Sequence, residues 1–171
     1  MLAHAQQGEL IAEHRVSVMI KPDLKEDQDV LIQCAIDILQ SRLKIPGEYL
    51  DQYELMSKFL ILKYSNFYRE VFSVTFLDQK FRLIDHCAMF FGTISHCTLH
   101  SRPIVAMGLQ LNASYVVIAH NHPSGDLGYS EDDINTTKEL AKALALVDMQ
   151  LLDHIIIGHR GTQSLKHEGV I

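Results

Sequence analysis

The stretch YVVIAHNHPSGD, residues 115–126, decides the fold of this chain. Its first five residues are apolar and largely β-branched, and a Pro-Ser-Gly turn follows, so the stretch predicts a short buried strand. Side chains alternate along a strand, so His120 and His122 are expected to point to the same face. Pro123 favours an extended backbone at His122. The strand therefore presents two imidazoles, two residues apart, at its C-terminal end.

Ser130 and Asp133 follow the turn and bring a carboxylate toward the two histidines. Ser130 can cap a helix whose third position is Asp133, and a zinc ion held by two imidazoles and one carboxylate keeps an open fourth position, as in catalytic sites. A structural interpretation stands beside this one. Ser130-x-x-Asp133 also matches a capping box, and paired histidines at a strand end can be polar rim residues. Both interpretations are open at this point.

The spacing also carries a resemblance to a known family. His120-x-His122, then seven residues, Ser130, two further residues and Asp133, resembles the JAMM (MPN or JAB) metallopeptidase pattern. Residues 119–126 (AHNHPSGD) and 153–158 (DHIIIG) resemble the RadC family of bacterial proteins within it, over a match from about Arg69 to the C-terminus. The resemblance implies that His120, His122 and Asp133 bind Zn²⁺. It also implies that Ser130 supports the metal-bound water or the oxyanion.

The resembling family also places a glutamate on the strand before a Gly-Thr pair, where it serves as general base and acid. Counting back from Gly92-Thr93 puts Cys87, or at most Ala88, at that position, and neither a thiol nor a methyl group does the work of a carboxylate. Asp85 is the candidate substitute, since it lies on the same strand face, about 6–7 Å along. We therefore expect the metal to be kept and the peptidase chemistry to be weakened or lost.

Composition limits the class of protein. The chain has 171 residues, 47% of them hydrophobic and 21% charged, which is typical of one soluble globular domain, and no apolar run is long enough to span a bilayer. The net charge is −6 without a basic stripe, so direct nucleic-acid binding is not expected. The three cysteines lack metal-type spacing and predict reduced thiols in a cytoplasmic protein: Cys34, Cys87 and Cys97.

Hydrophobic periodicity divides the chain into three parts. Residues 1–27 are expected to form a flexible leader or edge strand, which could serve homo-oligomer formation. Residues 28–66 predict a helical lead-in of two helices. Residues 67–171 predict an α/β (mixed α+β) domain in which helices flank a mixed sheet, and the resemblance implies the JAB/MPN-like (cytidine-deaminase-like) fold there.

Three functions follow, in decreasing order of support. The first is a zinc-dependent hydrolase that acts on a peptide or isopeptide bond of an unidentified protein or peptide substrate. The second is a catalytically inactive metal-binding module that acts through protein contacts. The third, a DNA-repair accessory protein, rests on the name of the resembling family and finds little support in the acidic composition.

Overall fold

The computed structural model describes residues 26–45, 49–92 and 99–171. Residues 1–25 of the expected leader lie outside the described residues, as does Cys97. The described ranges form four helices and five strands: α1 (Glu26–Leu43), α2 (Tyr49–Tyr64), β1 (Val71–Leu77), β2 (Leu83–Phe91), α3 (Ser101–Gln110), β3 (Tyr115–Asn121), α4 (Glu131–Ala145), β4 (Gln150–Ile157) and β5 (Thr162–Ser164). Among the described helices, none combines the length and the apolar character that crossing a membrane requires.

The five strands form one mixed sheet in the order β2-β1-β3-β4-β5. The central strand β3 runs antiparallel to β1 and parallel to β4, and α4 provides the crossover between the parallel pair. Strands β1 and β2 form the predicted hairpin, whose turn is held by Asp78 through backbone hydrogen bonds from Lys80 and Arg82. The predicted α/β fold with a mixed sheet flanked by helices is confirmed.

Helices cover both faces of the sheet, which explains why β1 and β3 are nearly continuous apolar runs. One hydrophobic cluster joins α1 and α2 to the face that includes Val117 and Ile155. A second cluster joins α3 and α4 to the face that includes Phe72 and Ile118. Because side chains alternate along β3, His120 lies on the same face as Ile118, under α3 and α4. The alternation thus places the first predicted metal ligand beside the helix that carries the third.

Candidate metal centre

His120 and His122 come together at the C-terminal end of β3, as their spacing predicts. Their Nε2 atoms are 3.0 Å apart. The His120 ring is 1% exposed and stacks on Phe72, with 5.9 Å between ring centroids and 9° between ring planes. His122 Nδ1 lies 2.9 Å from the carbonyl oxygen of Asp126. A carbonyl can only accept, so Nδ1–H is the donor and neutral His122 keeps its Nε2 lone pair for the cluster.

The turn after His122 is the one that the Pro-Ser-Gly sequence predicts. Gly125 donates its backbone N–H to the carbonyl oxygen of His122 at 2.9 Å and has a φ of +82°. A Cβ atom at Gly125 would also come within 2.5 Å of His159 Nδ1. Both the left-handed backbone and the close approach require glycine here. This tight turn brings the chain back over His122 and leads it into α4.

Asp133 uses its two carboxylate oxygens for different contacts. Oδ2 accepts hydrogen bonds from the backbone N–H and the hydroxyl of Ser130, both at 2.7 Å, while Ser130 Oγ accepts from the backbone N–H of Asp133 at 3.1 Å. These contacts form the capping box of α4. The other oxygen, Oδ1, lies 3.5 Å from His120 Nε2. The capping and ligand interpretations are therefore compatible, because each takes one oxygen.

Glu70, which the sequence analysis overlooked, reaches the same cluster. Its Oε1 lies 3.8 Å from His120 Nε2, and its side chain is 14% exposed. Glu70 immediately precedes β1, and Phe72 pairs with His120 across the antiparallel β1–β3 ladder. Asn121 fixes the backbone on either side of Glu70: it accepts from Val71 N–H at 2.8 Å and donates to the Arg69 carbonyl at 3.1 Å. A carboxylate thus stands beside the two histidines.

This placement corrects the expectation that Cys87, or else Asp85, occupies the glutamate position. Both residues lie on β2, which is separated from β3 by β1. Asp85 pairs with Phe76, four residues from Phe72 and therefore about 13 Å along the strand from the level of His120. Burial raises the pKa of the Cys87 thiol to about 12, so it stays protonated at neutral pH. The carboxylate at the cluster comes from Glu70, immediately before the neighbouring strand β1.

The donor atoms of the cluster fit a metal ion. Among the described residues, two overlapping groups share His120: Glu70, His120 and His122 form one, and His120, Asp133 and His154 form the other. The three ligands implied by the family resemblance are divided between them, with His122 in the first group and Asp133 in the second. In a tetrahedral zinc site with bonds of 2.0–2.1 Å, donor atoms lie about 3.3 Å apart. The separations of 3.0 Å and 3.5 Å from His120 Nε2 match that spacing, whereas His122 and Asp133 share no group in which all donor atoms lie within 4.8 Å of one another.

Comparisons with known proteins show which family this chain belongs to. The family model described as a RadC-like JAB domain matches residues 50–170. The chain belongs to the RadC-like JAB domain family. It is 37% identical over 141 residues to UPF0758 protein YkfG of Escherichia coli (strain K12), which covers 82% of this chain and 89% of YkfG. A UPF0758 protein of Vibrio cholerae is 37% identical over 128 residues, which cover 75% of this chain and 80% of that protein. A UPF0758 protein of Acidithiobacillus ferrooxidans is 44% identical over 101 residues, which cover 59% of this chain and 45% of that protein. The RadC resemblance drawn from residues 119–126 and 153–158 is confirmed.

Three buried histidines of this RadC-like JAB domain are held neutral. Burial lowers the pKa of His120 to about 4, with Asp133 opposing this shift and His122 adding to it. Burial also holds the pKa of His154 and of His86 well below 6.5. His86 belongs to the opposite face, where its ring nitrogens lie 2.7 Å from the Tyr64 hydroxyl and 2.8 Å from the Thr75 hydroxyl.

Acid is expected to destabilise the metal-free protein. Below about pH 6.5 these three histidines take up protons in the unfolded chain but not in the folded one, so the free energy of unfolding falls as the pH falls. Each histidine contributes up to about 1.4 kcal/mol per pH unit, and the contribution of His120 ends near pH 4. Urea titrations in the presence of a chelator, at neutral pH and near pH 5, measure the change. An unchanged midpoint would contradict the neutral, buried state of these rings.

Proposed function

We propose that this protein is a zinc-dependent hydrolase of peptide or isopeptide bonds in which Glu70 is the general base and acid. The observation that carries the proposal is the approach of Glu70 Oε1 to within 3.8 Å of His120 Nε2, inside the same donor group as His122. A site that only holds a metal through two imidazoles and Asp133 has no need of a second carboxylate. A hydrolytic site does need one, because a proton must move from the attacking water to the leaving amine.

The proposed ligands of the zinc ion are His120 Nε2, His122 Nε2 and Asp133 Oδ1. When bound, zinc supplies Lewis-acid activation of water and of a substrate carbonyl. Histidine and carboxylate donors suit zinc, and three protein ligands leave a position open for water or substrate. The second oxygen of Asp133 stays with Ser130 in the capping box, which holds the carboxylate in one orientation.

Glu70 and Ser130 are the proposed proton carrier and oxyanion donor. Glu70 is 14% exposed, so water and a substrate can reach its carboxylate. The Asn121 amide contacts with Val71 and Arg69 hold the backbone on both sides of Glu70, which keeps the base in place relative to the histidines. In the structure the Ser130 hydroxyl donates to Asp133, so a role toward the oxyanion requires that hydroxyl to turn toward the substrate.

The presence of Glu70 disfavours the inactive metal-binding module, since that alternative depended on a missing glutamate. Cytoplasmic location is part of the proposal, supported by the free thiols of Cys34 and Cys87 in the described part of the chain. The acidic net charge of −6 argues against a direct role on DNA.

Turnover of a panel of fluorogenic peptides and lysine isopeptides tests the proposal. We expect cleavage of at least one isopeptide by the zinc-loaded protein, loss of cleavage after dialysis against a chelator, and recovery when zinc is restored. Cleavage that persists after chelation would contradict metal dependence. A fully zinc-loaded protein that cleaves nothing in the panel would favour the inactive module.

A further inference from the structure

Behind the candidate metal centre lies a buried chain of hydrogen bonds that the proposed chemistry does not use. His120 Nδ1 is 2.8 Å from His154 Nε2, and His154 Nδ1 is 2.6 Å from the Thr137 hydroxyl. The Thr137 hydroxyl in turn lies 2.5 Å from the backbone carbonyl oxygen of Asp133. His154 and Thr137 are fully buried, on β4 and α4 respectively. These hydrogen bonds therefore connect one proposed ligand to the backbone of another through two fully buried residues.

The directions of these hydrogen bonds follow from the last acceptor. A carbonyl oxygen cannot donate, so the Thr137 hydroxyl donates its hydrogen to Asp133 and must accept from His154. His154 Nδ1 therefore carries a hydrogen, and in the neutral ring Nε2 has a lone pair. That lone pair accepts from His120 Nδ1–H. The remaining nitrogen of His120, Nε2, is left with a lone pair pointing toward His122, Asp133 and Glu70.

We infer that Thr137 and His154 are positioning residues that fix His120 in the Nδ1–H tautomer and so prepare its Nε2 for a metal ion. His122 Nδ1–H donates to the Asp126 carbonyl, so in the neutral ring its Nε2 carries a lone pair 3.0 Å from His120 Nε2. Such a pair is stabilised by a cation between or beside the two nitrogens. The inference rests on the metal site of the proposed function, and it adds the residues that determine which nitrogen of His120 binds.

The chain of hydrogen bonds also links the two secondary-structure elements that supply the ligands. His120 lies on β3 and Asp133 on α4, and His154 on β4 lies between them as the hydrogen-bonded link. Because the hydrogen bond between the Thr137 hydroxyl and His154 Nδ1 joins α4 to β4, a shift of α4 away from the sheet would break this series of hydrogen bonds. Partners of this kind typically change metal affinity about 10–100-fold when they are removed.

Thr137→Val and Thr137→Ser form the matched pair that tests the inference. Valine keeps the shape of threonine and removes the hydroxyl, whereas serine keeps the hydroxyl and removes the methyl group. We expect zinc affinity, measured by competition with a chelating dye, to fall about 10–100-fold in the valine variant and to stay near the wild-type value in the serine variant. A residue that only fills space would give the opposite order, and that order would overturn the inference.

The tautomer itself is measured on wild-type, metal-free protein by ¹⁵N-detected correlation of the imidazole nitrogens. We expect a protonated Nδ1 and an unprotonated Nε2 for His120, and this result does not depend on whether the valine variant folds. A hydrogen on His120 Nε2 would overturn the inference. Zinc binding with the expected tautomer but without any hydrolysis would contradict the proposed function alone, whereas equal zinc affinity in the valine and serine variants would contradict the inference alone.

Discussion

Replacing Glu70 by glutamine is expected to lower turnover by about 10²–10⁴-fold, because general acid–base catalysis contributes a factor of that size. Glutamine has nearly the shape of glutamate and can keep its place beside His120, but it cannot take a proton from water. Zinc content should therefore stay close to that of the wild type. The measurement is initial-rate kinetics on whichever isopeptide the wild-type protein cleaves, beside zinc analysis of the same preparations.

Asp85→Asn and Cys87→Ser are the controls for Glu70→Gln. Both residues lie on β2, with β1 between them and the histidines, so neither change should reduce turnover appreciably. Introducing a carboxylate by Cys87→Glu should give no gain, since position 87 faces Met107 rather than the cluster, with 3.7 Å between the two sulfur atoms. Full activity in Glu70→Gln, or a large loss in Asp85→Asn, would contradict the assignment of the base to Glu70.

Replacing His122 by alanine is expected to abolish stoichiometric zinc binding. The change removes one of the three proposed ligands, so the loss of affinity should exceed the factor of about 10–100 that removal of an outer partner causes. The His122 side chain is only partly buried, and within the fold it contacts the carbonyl oxygen of Asp126 and the His120 ring. The metal-free variant should therefore keep the wild-type fold, which circular dichroism verifies.

His167→Ala is the matched control for His122→Ala. His167 is exposed and packs against Tyr53, with 4.6 Å between ring centroids, and it belongs to neither donor group. Its replacement should leave zinc affinity unchanged in the same dye competition. Equal losses in the two variants would indicate nonspecific binding of zinc to the ten histidines of the chain.

The sequence predicts most of this fold because its periodicities are unambiguous. The apolar stretch before His120 forms β3, Ser130 caps α4 as its spacing with Asp133 indicates, and residues 71–77 and 83–91 form the hairpin. In each case a local signal, such as alternation, a turn or a cap, suffices to place the element.

Glu70 could not be placed by counting from Gly92, because that count follows β2 and the sheet order decides which strand adjoins the histidines. Strand β1 adjoins β3 and runs antiparallel to it, so the first residues of β1 lie beside the last residues of β3. A signal was nevertheless present. Glu70 is a carboxylate immediately before a seven-residue, mostly apolar strand that is buried throughout, at the end where an antiparallel neighbour of β3 would meet His120.

The contact between His154 and His120 depends on strand register, which the sequence does not reveal. The sequence motif DHIIIG identifies residues 153–158 as a segment of interest. A hydrogen bond from His154 to His120, however, requires the parallel pairing of β3 with β4, including the irregularity between Val116 and Val117. That register pairs His154 on β4 with Ile118 on β3, and Ile118 lies two residues before His120. Long-range pairing, rather than any local pattern, sets this part of the site.

Diffraction at the zinc absorption edge, from crystals of the zinc-loaded protein, tests the central claim most directly. We predict one anomalous peak at bonding distance, about 2.0–2.2 Å, from His120 Nε2, His122 Nε2 and Asp133 Oδ1. Glu70 should lie beside the ion without replacing any of the three ligands. A peak at other residues, or zinc-loaded crystals without a peak between β3 and α4, would contradict the account.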